Sequence, residues 1–470
     1  MKRNLLNLML VSSGIIAHLN GVAAAAGDSP PLFQETCAYS LGDYWCENHL
    51  SVADMDGDGR KDIVLMVTAL ADTNGPPWGY NAQVILLHAG PDGAFTDSVI
   101  TNYPGRYGYG AFAAELNNDG ATDLILREQN TTHVLLNDGH GSFREVWAGG
   151  PGYYNLVTVD VNRDGFLDIV SGTQTGGGGM IQVFTNNGAG TKFSGAWGSR
   201  LYGSGYDSIQ TVLAVNLNGD GLPDIAAREI YGGRWITFTG TTNAAAPFVE
   251  QQETYLGVRT FALAAGRVNG DSLDDLAVYV GWGEARVLVN QGGGAMSNAW
   301  TSPNLGAAAN NVALADFDGD GFDDLFVGTF GDSVTRKGAL RIYRNQSGSG
   351  FEEWWQSPLA GAGYTGTVAD LNDDGAPDLI VGEKNSIRVL LNQTGWPQIT
   401  RLEPLPDGMR IIWSSKPGKT YRVQHRNGWG GEAWADLDVT ATAVSTTTSA
   451  VDDTRTGGAN HRFYRVVELP

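Results

Sequence analysis

Seven short acidic segments recur along this 470-residue chain, and each leads into an apolar run. The clearest is Asp54-Met-Asp56-Gly57-Asp58-Gly59-Arg60-Lys-Asp62, followed by Ile63-Val64-Leu65. Oxygen ligands at alternating positions of a tight turn suit a hard cation, Ca2+ above all. Asp54, Asp56 and Asp58 can converge on one ion, Arg60 can add its backbone carbonyl, and Asp62 closes the loop. Gly57 and Gly59 permit the sharp turn. An EF-hand loop opens in the same way but needs a bidentate Glu at its twelfth position. That position here is Leu65, inside the apolar run, so the EF-hand reading fails. A bare acidic turn is disfavoured because clustered carboxylates repel one another without a cation.

The copies are unequal. Asp316, Asp318, Asp320 and Asp324 repeat the full carboxylate set of the first loop. The loops Asp160, Asn162, Asp164, Asp168 and Asp370, Asn372, Asp374, Asp378 keep three carboxylates each and are expected to bind. Glu115 replaces Asp at the head of the second loop, with Asn117, Asp119 and Asp123 intact, and binding is expected there too. The fourth loop, Asn216, Asn218, Asp220 and Asp224, should be weaker. The fifth begins with Arg267 ahead of Asn269, Asp271 and Asp275; it is expected to be empty, with the guanidinium in the cation's place. At dissociation constants of ~10⁻⁴ to 10⁻³ M and ~1 mM calcium, each site adds only ~0.4 to 1.4 kcal/mol. The metals therefore read as structural fasteners rather than catalysts.

The elements that carry these loops follow from their spacing. Loops begin at residues 54, 115, 160, 216, 267, 316 and 370, a spacing that marks a repeat array. Each unit has the same strand order. In the third, Leu156 to Val159 precedes the loop and Asp168 to Val170 follows it; a Gly-rich turn, Met180 to Phe184 and a last strand near Phe193 complete the unit. No segment shows a sustained helical period. Four strands per unit, repeated radially, make an all-β fold, a β-propeller of seven blades. The rungs of a β-helix are far shorter. The segment 32–36, upstream of the first inner strand, is expected to complete the blade around Asp370 and so remove an exposed edge.

The Asp-x-Asp/Asn-Gly-Asp-Gly-x-x-Asp-(Leu/Ile) loops resemble FG-GAP/VCBS repeats, as in the integrin alpha-subunit propeller and many secreted bacterial proteins. Gly108-Tyr-Gly-Ala-Phe-Ala-Ala114 is similar to the stretch that precedes such loops, and the resemblance covers residues 32–395. It implies the fold and the metal but not one function, because the family includes adhesins, lectin-like binders and propeller domains of enzymes. It also implies that ligands bind at the central channel or on the face opposite the metal loops. The connections between second and third strands, which would lie there, carry Trp78, Tyr80, Arg127, Arg228, Tyr231, Trp282 and Arg336 with Lys337. Connections into the inner strands add Arg106, Tyr107, Tyr109, Tyr153 and Tyr206. Aromatic planes with interspersed guanidinium groups suit sugars, acidic ones in particular, although any one aromatic fits blade packing as well.

Composition narrows the partners. A net charge of −21 argues against nucleic acid and anionic membranes, whose phosphates need Lys and Arg. Lys2 and Arg3, the apolar stretch Leu5 to Ala17 and the small residues Ala23 to Ala26 read as a secretory signal over 1–26, with a periplasmic or extracellular mature chain. No later apolar span exists to anchor it. Export permits a disulfide between Cys37 and Cys46, the only cysteines. The propeller is placed at 27–395. After it, alternating segments over 400–470 suggest a small β-sandwich, which looks like the fibronectin type III-like modules of secreted bacterial proteins.

No Gly-x-Ser-x-Gly elbow, His-Glu-x-x-His site or Walker loop is present. Arg127-Glu128 and Arg228-Glu229 recur at equivalent strand ends, either as a lyase grouping or as structural contacts. The expected function is non-catalytic binding of an extracellular polysaccharide or protein by a monomer. The alternatives are a polysaccharide lyase and a structural adhesin with a protein partner.

Overall fold

The computed structural model describes residues 33–469 apart from 47–48, 71–79, 91–93, 130, 151–153, 331–337, 359–362, 373–374, 384, 394–396, 398, 406–407, 416–418, 427–433, 445–446 and 455–461; before residue 33 it describes 9–12 and 15–18. The described elements are all β-strands. No helix among the described residues is long and apolar enough to cross a membrane. The chain divides into two compact units, Glu35–Asp373 with Pro377–Leu391, and Asn392–Pro470 with Met1–Gln34 and Asp374–Ala376.

Among the described residues the first unit is built from seven antiparallel four-stranded sheets. The first contains Leu50–Ala53, Asp62–Leu70, Tyr80–Ala89 and Phe95–Pro104 in that order. The next five run in the same sense from inner strands beginning at Gly108, Leu156, Ile209, Thr260 and Ala309. The seventh contains Gly363–Ala369, Asp378–Glu383 and Ser386–Asn392, and its outer strand is Phe33–Ser40, from the far end of the sequence. The expected closing segment thus lies where the repeat spacing puts it.

The second strands explain why each loop leads into an unbroken apolar run. Asp123–Glu128, Asp224–Glu229, Asp275–Val280, Asp324–Thr329 and Asp378–Glu383 are buried at every residue. A strand covered on both faces has no polar side to alternate with. Side chains still point to opposite faces. Ile63 and Leu65 pack with Ile380, Ile387 and Val389 of the seventh sheet, whereas Val64 and Met66 pack with Ala111, Leu124 and Leu126 of the second. Further shared cores join the second sheet to the third, third to fourth, fourth to fifth and fifth to sixth. Gly363–Ala369 packs on both Ala309–Ala315 and Leu50–Ala53, which closes the succession. Each buried Ile, Leu, Val or Met side chain among them contributes about 1.5 to 3 kcal/mol through burial. The cyclic neighbour order is consistent with a β-propeller.

The outer strand of the fourth sheet alternates instead. Phe248–Tyr255 is buried or half-buried at every second residue and exposed between. Six sheets carry a register shift between third and fourth strands, at Val84/Ile85, Val134/Leu135, Val183/Phe184, Thr237/Phe238, Val287/Leu288 and Ile342/Tyr343. A bulge there increases the local twist of the outer strand.

The second unit has two antiparallel sheets, one including Thr420–Arg426, Ala435–Thr442 and Arg462–Glu468, the other Ile399–Leu405, Gly408–Ser414 and Thr447–Asp452. They share one core around Trp413, Tyr421 and Tyr464. Within it Asp452 accepts hydrogen bonds from the Tyr464 hydroxyl (2.6 Å) and the Thr454 hydroxyl (2.7 Å) and pairs with Arg462 (3.0 Å). The strands Met9–Ser12 and Ile15–His18, inside the expected signal segment, extend the first of these sheets. Cys46 is fully buried; the Cys37 side chain, its expected disulfide partner, lies outside the described residues.

Candidate metal loops and the aromatic end

Each acidic loop joins the first strand of a sheet to the second, so all seven lie at one end of their sheets. One framework recurs. The ninth residue starts the buried second strand and is itself fully buried: Asp62, Asp123, Asp168, Asp224, Asp275, Asp324 and Asp378. Its Oδ2 accepts the backbone N–H of the second loop residue, as with Met55 (3.0 Å), Leu116 (3.0 Å), Val161 (3.1 Å), Leu217 (2.7 Å), Val268 (2.9 Å), Phe317 (3.1 Å) and Leu371 (2.8 Å). In the first six loops its Oδ1 accepts an N–H from the end of the third strand. These Asp residues therefore hold the loop to its sheet, a role that alternating-ligand logic did not assign to them.

Burial and neighbouring carboxylates make these groups reluctant anions. Burial, with Glu115 and Asp119 adding, pushes Asp123 up to about 6. Burial, with Asp318 and Asp316 adding, pushes Asp324 up to about 7. Burial also raises Asp62, Asp168, Asp224 and Asp275. A bound cation would relieve the charge that burial opposes.

The first position decides how well a loop is folded for a cation. Asp54 accepts Gly57 N–H and Gly59 N–H, each at 2.8 Å. Glu115, Asp160 and Asp316 accept the equivalent sixth-position N–H from Gly120 (2.8 Å), Gly165 (2.9 Å) and Gly321 (2.9 Å). The sixth-position glycines take left-handed backbone, with φ of 83° at Gly59 and 93° at Gly321, which a side chain would oppose. Ligand oxygens of Asp54, Asp56 and Asp58 lie within 4.8 Å of one another, as do those of Asp316, Asp318 and Asp320. These loops fit a cation with hard oxygen ligands.

The third position shows a second pattern. Where it is Asn, the amide crosslinks the loop: Asn117, Asn162, Asn218 and Asn269 donate to Asp119 (2.8 Å), Asp164 (2.9 Å), Asp220 (2.9 Å) and Asp271 (2.8 Å). Asp56 and Asp318 have no amide to offer, and each is met by a side chain from the residue before the third strand ends. His88 Nδ1 lies 3.2 Å from Asp56 Oδ2, and the Arg344 guanidinium pairs with Asp318. The Arg60 side chain pairs with Asp58. Asn372 heads the third position of the seventh loop below Asp370, whose carbonyl receives Lys61 Nζ; Asp374 lies outside the described residues.

Sequence reading also missed an asparagine at the end of the third strand. Asn137 Nδ2 donates to Met55 O (2.8 Å) in the preceding sheet's loop and to Thr122 O (2.9 Å) in its own. Asn186, Asn290 and Asn345 repeat the clip to Leu116 O (2.8 Å), Leu217 O (3.0 Å) and Val268 O (2.7 Å). The signal is an Asn 14 to 21 residues after the closing Asp of these four sheets, read only as turn sequence. In the fourth sheet Gly240 stands there instead, and a cavity of about 600 Å³ opens between the third and fourth loops, lined by Asp160, Arg163, Leu167, Asn216 and Pro223.

The opposite strand ends carry the aromatic residues. Trp282 is 60% exposed, with its ring 5.5 Å from Phe261. Tyr231 is 43% exposed under the Arg259 guanidinium at 4.5 Å. Tyr206 is exposed as well. Half-buried Tyr80 packs edge-on against Tyr107 (5.2 Å), Tyr107 against Tyr109 (5.1 Å), and Tyr109 against Tyr154 (5.4 Å). Trp78, Tyr153, Arg336 and Lys337 lie outside the described residues. Arg127 and Arg228, expected on a ligand face, are instead buried and bond inside the protein. Arg127 Nη1 donates to Ser171 Oγ (2.6 Å) on the third sheet, and Arg228 Nη1 to Thr260 O (2.6 Å) on the fifth. Burial lowers their guanidinium groups to about 9 and about 10. Their side chains tie neighbouring sheets together because the second strand that carries them is enclosed on both faces.

Residues 115–171, 160–227 and 234–327 match the FG-GAP-like repeat family. Human (Homo sapiens) integrin alpha-6 is 30% identical over 149 residues, covering 28% of this chain and 12% of that protein. Mouse (Mus musculus) integrin alpha-7 is 28% identical over 187 residues, covering 36% and 15%. The chain thus matches only about an eighth to a seventh of the length of these relatives. It carries FG-GAP-like repeats in three places, and the loops at Asp54 and Asp370, outside the matched stretches, share the same ninth-position framework.

Proposed function

We propose that this FG-GAP repeat chain is an exported, calcium-stabilised seven-bladed propeller that recognises an extracellular polysaccharide or protein without transforming it. One observation carries the reading: the acidic loops and the exposed aromatic residues occupy opposite ends of the same strands. The cation end fastens the scaffold, which leaves the end bearing Trp282, Tyr231 and Tyr206 free for recognition. Calcium supplies charge neutralisation and crosslinking, held by Asp54, Asp56 and Asp58 in the first loop and by their counterparts in the second, third, sixth and seventh. The integrin matches support a recognition or adhesion role. The C-terminal unit is read as an accessory sandwich.

A second reading, a polysaccharide lyase, is favoured by one grouping at the aromatic end. The His133 and Tyr103 rings lie 4.8 Å apart, with Glu128 3.7 Å from His133 Nε2 and Glu145 3.3 Å from Nδ1. The His133 side chain is only 11% exposed, which places this reading second. Affinity electrophoresis against a panel of acidic and neutral polysaccharides, with product absorbance read on the same samples, separates them. Retention without products is expected, and Trp282→Ala with Tyr231→Ala should abolish it. Unsaturated products would replace binding by the lyase reading; neither retention nor products would leave a protein partner.

A further inference from the structure

The fourth and fifth loops do not fit a cation as the first, second, third and sixth do, and other contacts hold them. Asn216 accepts Gly219 N–H (2.9 Å) as Asp54 accepts Gly57, but its amide nitrogen turns away and donates to Ser272 O (3.0 Å) in the next loop. Arg267 offers no acceptor, and Ser272, at the sixth position of its loop, lies outside the left-handed region that glycine takes elsewhere. Both defective first positions are gripped by the eighth residue of the following loop. Asp274 Oδ2 accepts Asn216 N–H (2.7 Å), and Asp274 N–H donates back to Asn216 O (2.8 Å). Asp323 Oδ2 accepts Arg267 N–H (2.6 Å), and Asp323 N–H donates back to Arg267 O (2.9 Å). The Arg267 guanidinium is exposed and lies 3.6 Å from Asp274 of its own loop. Gly266 leaves room for this: a Cβ there would sit 2.4 Å from Asp323 Oδ2. Where the first position is Glu115 or Asp160, the following loop has Leu167 or Pro223 at its eighth position, neither of which has a side chain that can accept.

We infer that Asp274 and Asp323 are protein-borne replacements for the cation's crosslink, so that the junctions of the fourth loop with the fifth and of the fifth with the sixth are stapled without metal while the first, second, third and sixth loops depend on it. Calcium loss then loosens the first, second, third and sixth loops and leaves the Asn216 and Arg267 junctions closed. The propeller has a fixed sector and a cation-responsive sector. This rests on the calcium reading of the other loops.

Amide hydrogen exchange on the whole protein, in calcium and in chelator, tests it. In wild type, chelation should speed exchange at residues 54–60, 115–121, 160–166 and 316–322 and leave 216–221 and 267–273 unchanged. Equal acceleration at 216–221 and 267–273 overturns the proposal. Asp323→Ala should speed exchange at Arg267, and Asp274→Ala at Asn216, by about tenfold for the lost hydrogen bond, to the same extent with and without calcium. Unchanged exchange at those amides in both variants, or acceleration only in calcium, also overturns it. No response to chelator in any loop, with both variants still accelerated, removes the calcium reading and leaves the staples standing. The wild-type comparison decides the matter even if either variant fails to fold.

Discussion

Replacing Asn137 isolates the clip between adjacent sheets. Its amide donates to Met55 O and Thr122 O, and its own carbonyl accepts Gly139 N–H at 3.2 Å. Met55 is fully buried and Asn137 nearly so. Asn137→Ala leaves the Met55 carbonyl without this donor in a site water does not reach, a penalty of about 1 to 3 kcal/mol, and removes a second, partly buried bond worth about 1 kcal/mol. The expected loss is about 2 to 4 kcal/mol. Asn137→Asp is closer in shape but points a carboxylate oxygen at two carbonyl oxygens, so it should be worse than Ala. Urea unfolding in saturating calcium, followed by tryptophan fluorescence, measures both through the midpoint at constant slope. Asn137→Asp as stable as wild type, or both variants within about 0.5 kcal/mol of it, would refute the clip as a load on stability.

Other outcomes follow from the same geometry. Gly240→Asn, which would install the missing clip in the fourth sheet, should destabilise, because a Cβ there would meet Pro223 O at 2.5 Å; a higher melting temperature contradicts this. In chelator, folded-state carboxyl groups raised above the unfolded range bind protons more tightly than the unfolded chain does, so ionising them weakens the fold. With Asp324 at about 7 and Asp123 at about 6, metal-free melting temperature should rise as pH falls from about 8 to 5. In calcium, where protons compete with the ion, the slope should be flat or reversed, and equal slopes in both would count against a metal in these loops. Asp56→Asn should lower the melting temperature in calcium by more than in chelator, measured by scanning calorimetry, since it removes a ligand of the first loop.

Much of this scaffold is legible in sequence because its determinants are local. The loop residues that set turns and charge are contiguous, and the second strand's double burial removes all ambiguity from the run that follows Asp62 or Asp324. Weakness in the fourth and fifth loops is readable from Asn216 and Arg267 alone. What stands in for the cation is not, because Asp274 and Asp323 act on the loop before their own, some 56 to 58 residues away. Arg127 and Arg228 illustrate the converse error: at a strand end they look like surface cations, and only the packing of the next sheet over that end encloses them. Asn137 and its repeats look like ordinary turn residues until their carbonyl partners, 82 residues away for Met55, come into place.

The outer strand Phe33–Ser40 of the seventh sheet has a consequence for synthesis. It is made before every other strand of the seven sheets, yet its partner strand Ser386–Asn392 is made after all of them, and the Arg388 to Glu35 ion pair bridges 353 residues. Closing a segment of that length costs about 5 kcal/mol of chain entropy, which the seventh sheet can recover only after every other sheet exists to hold its ends near. A nascent chain must therefore carry a bare strand edge until the last strand of the seventh sheet has been made, and ribosome-released fragments lacking residues beyond 385 should be the species that aggregate.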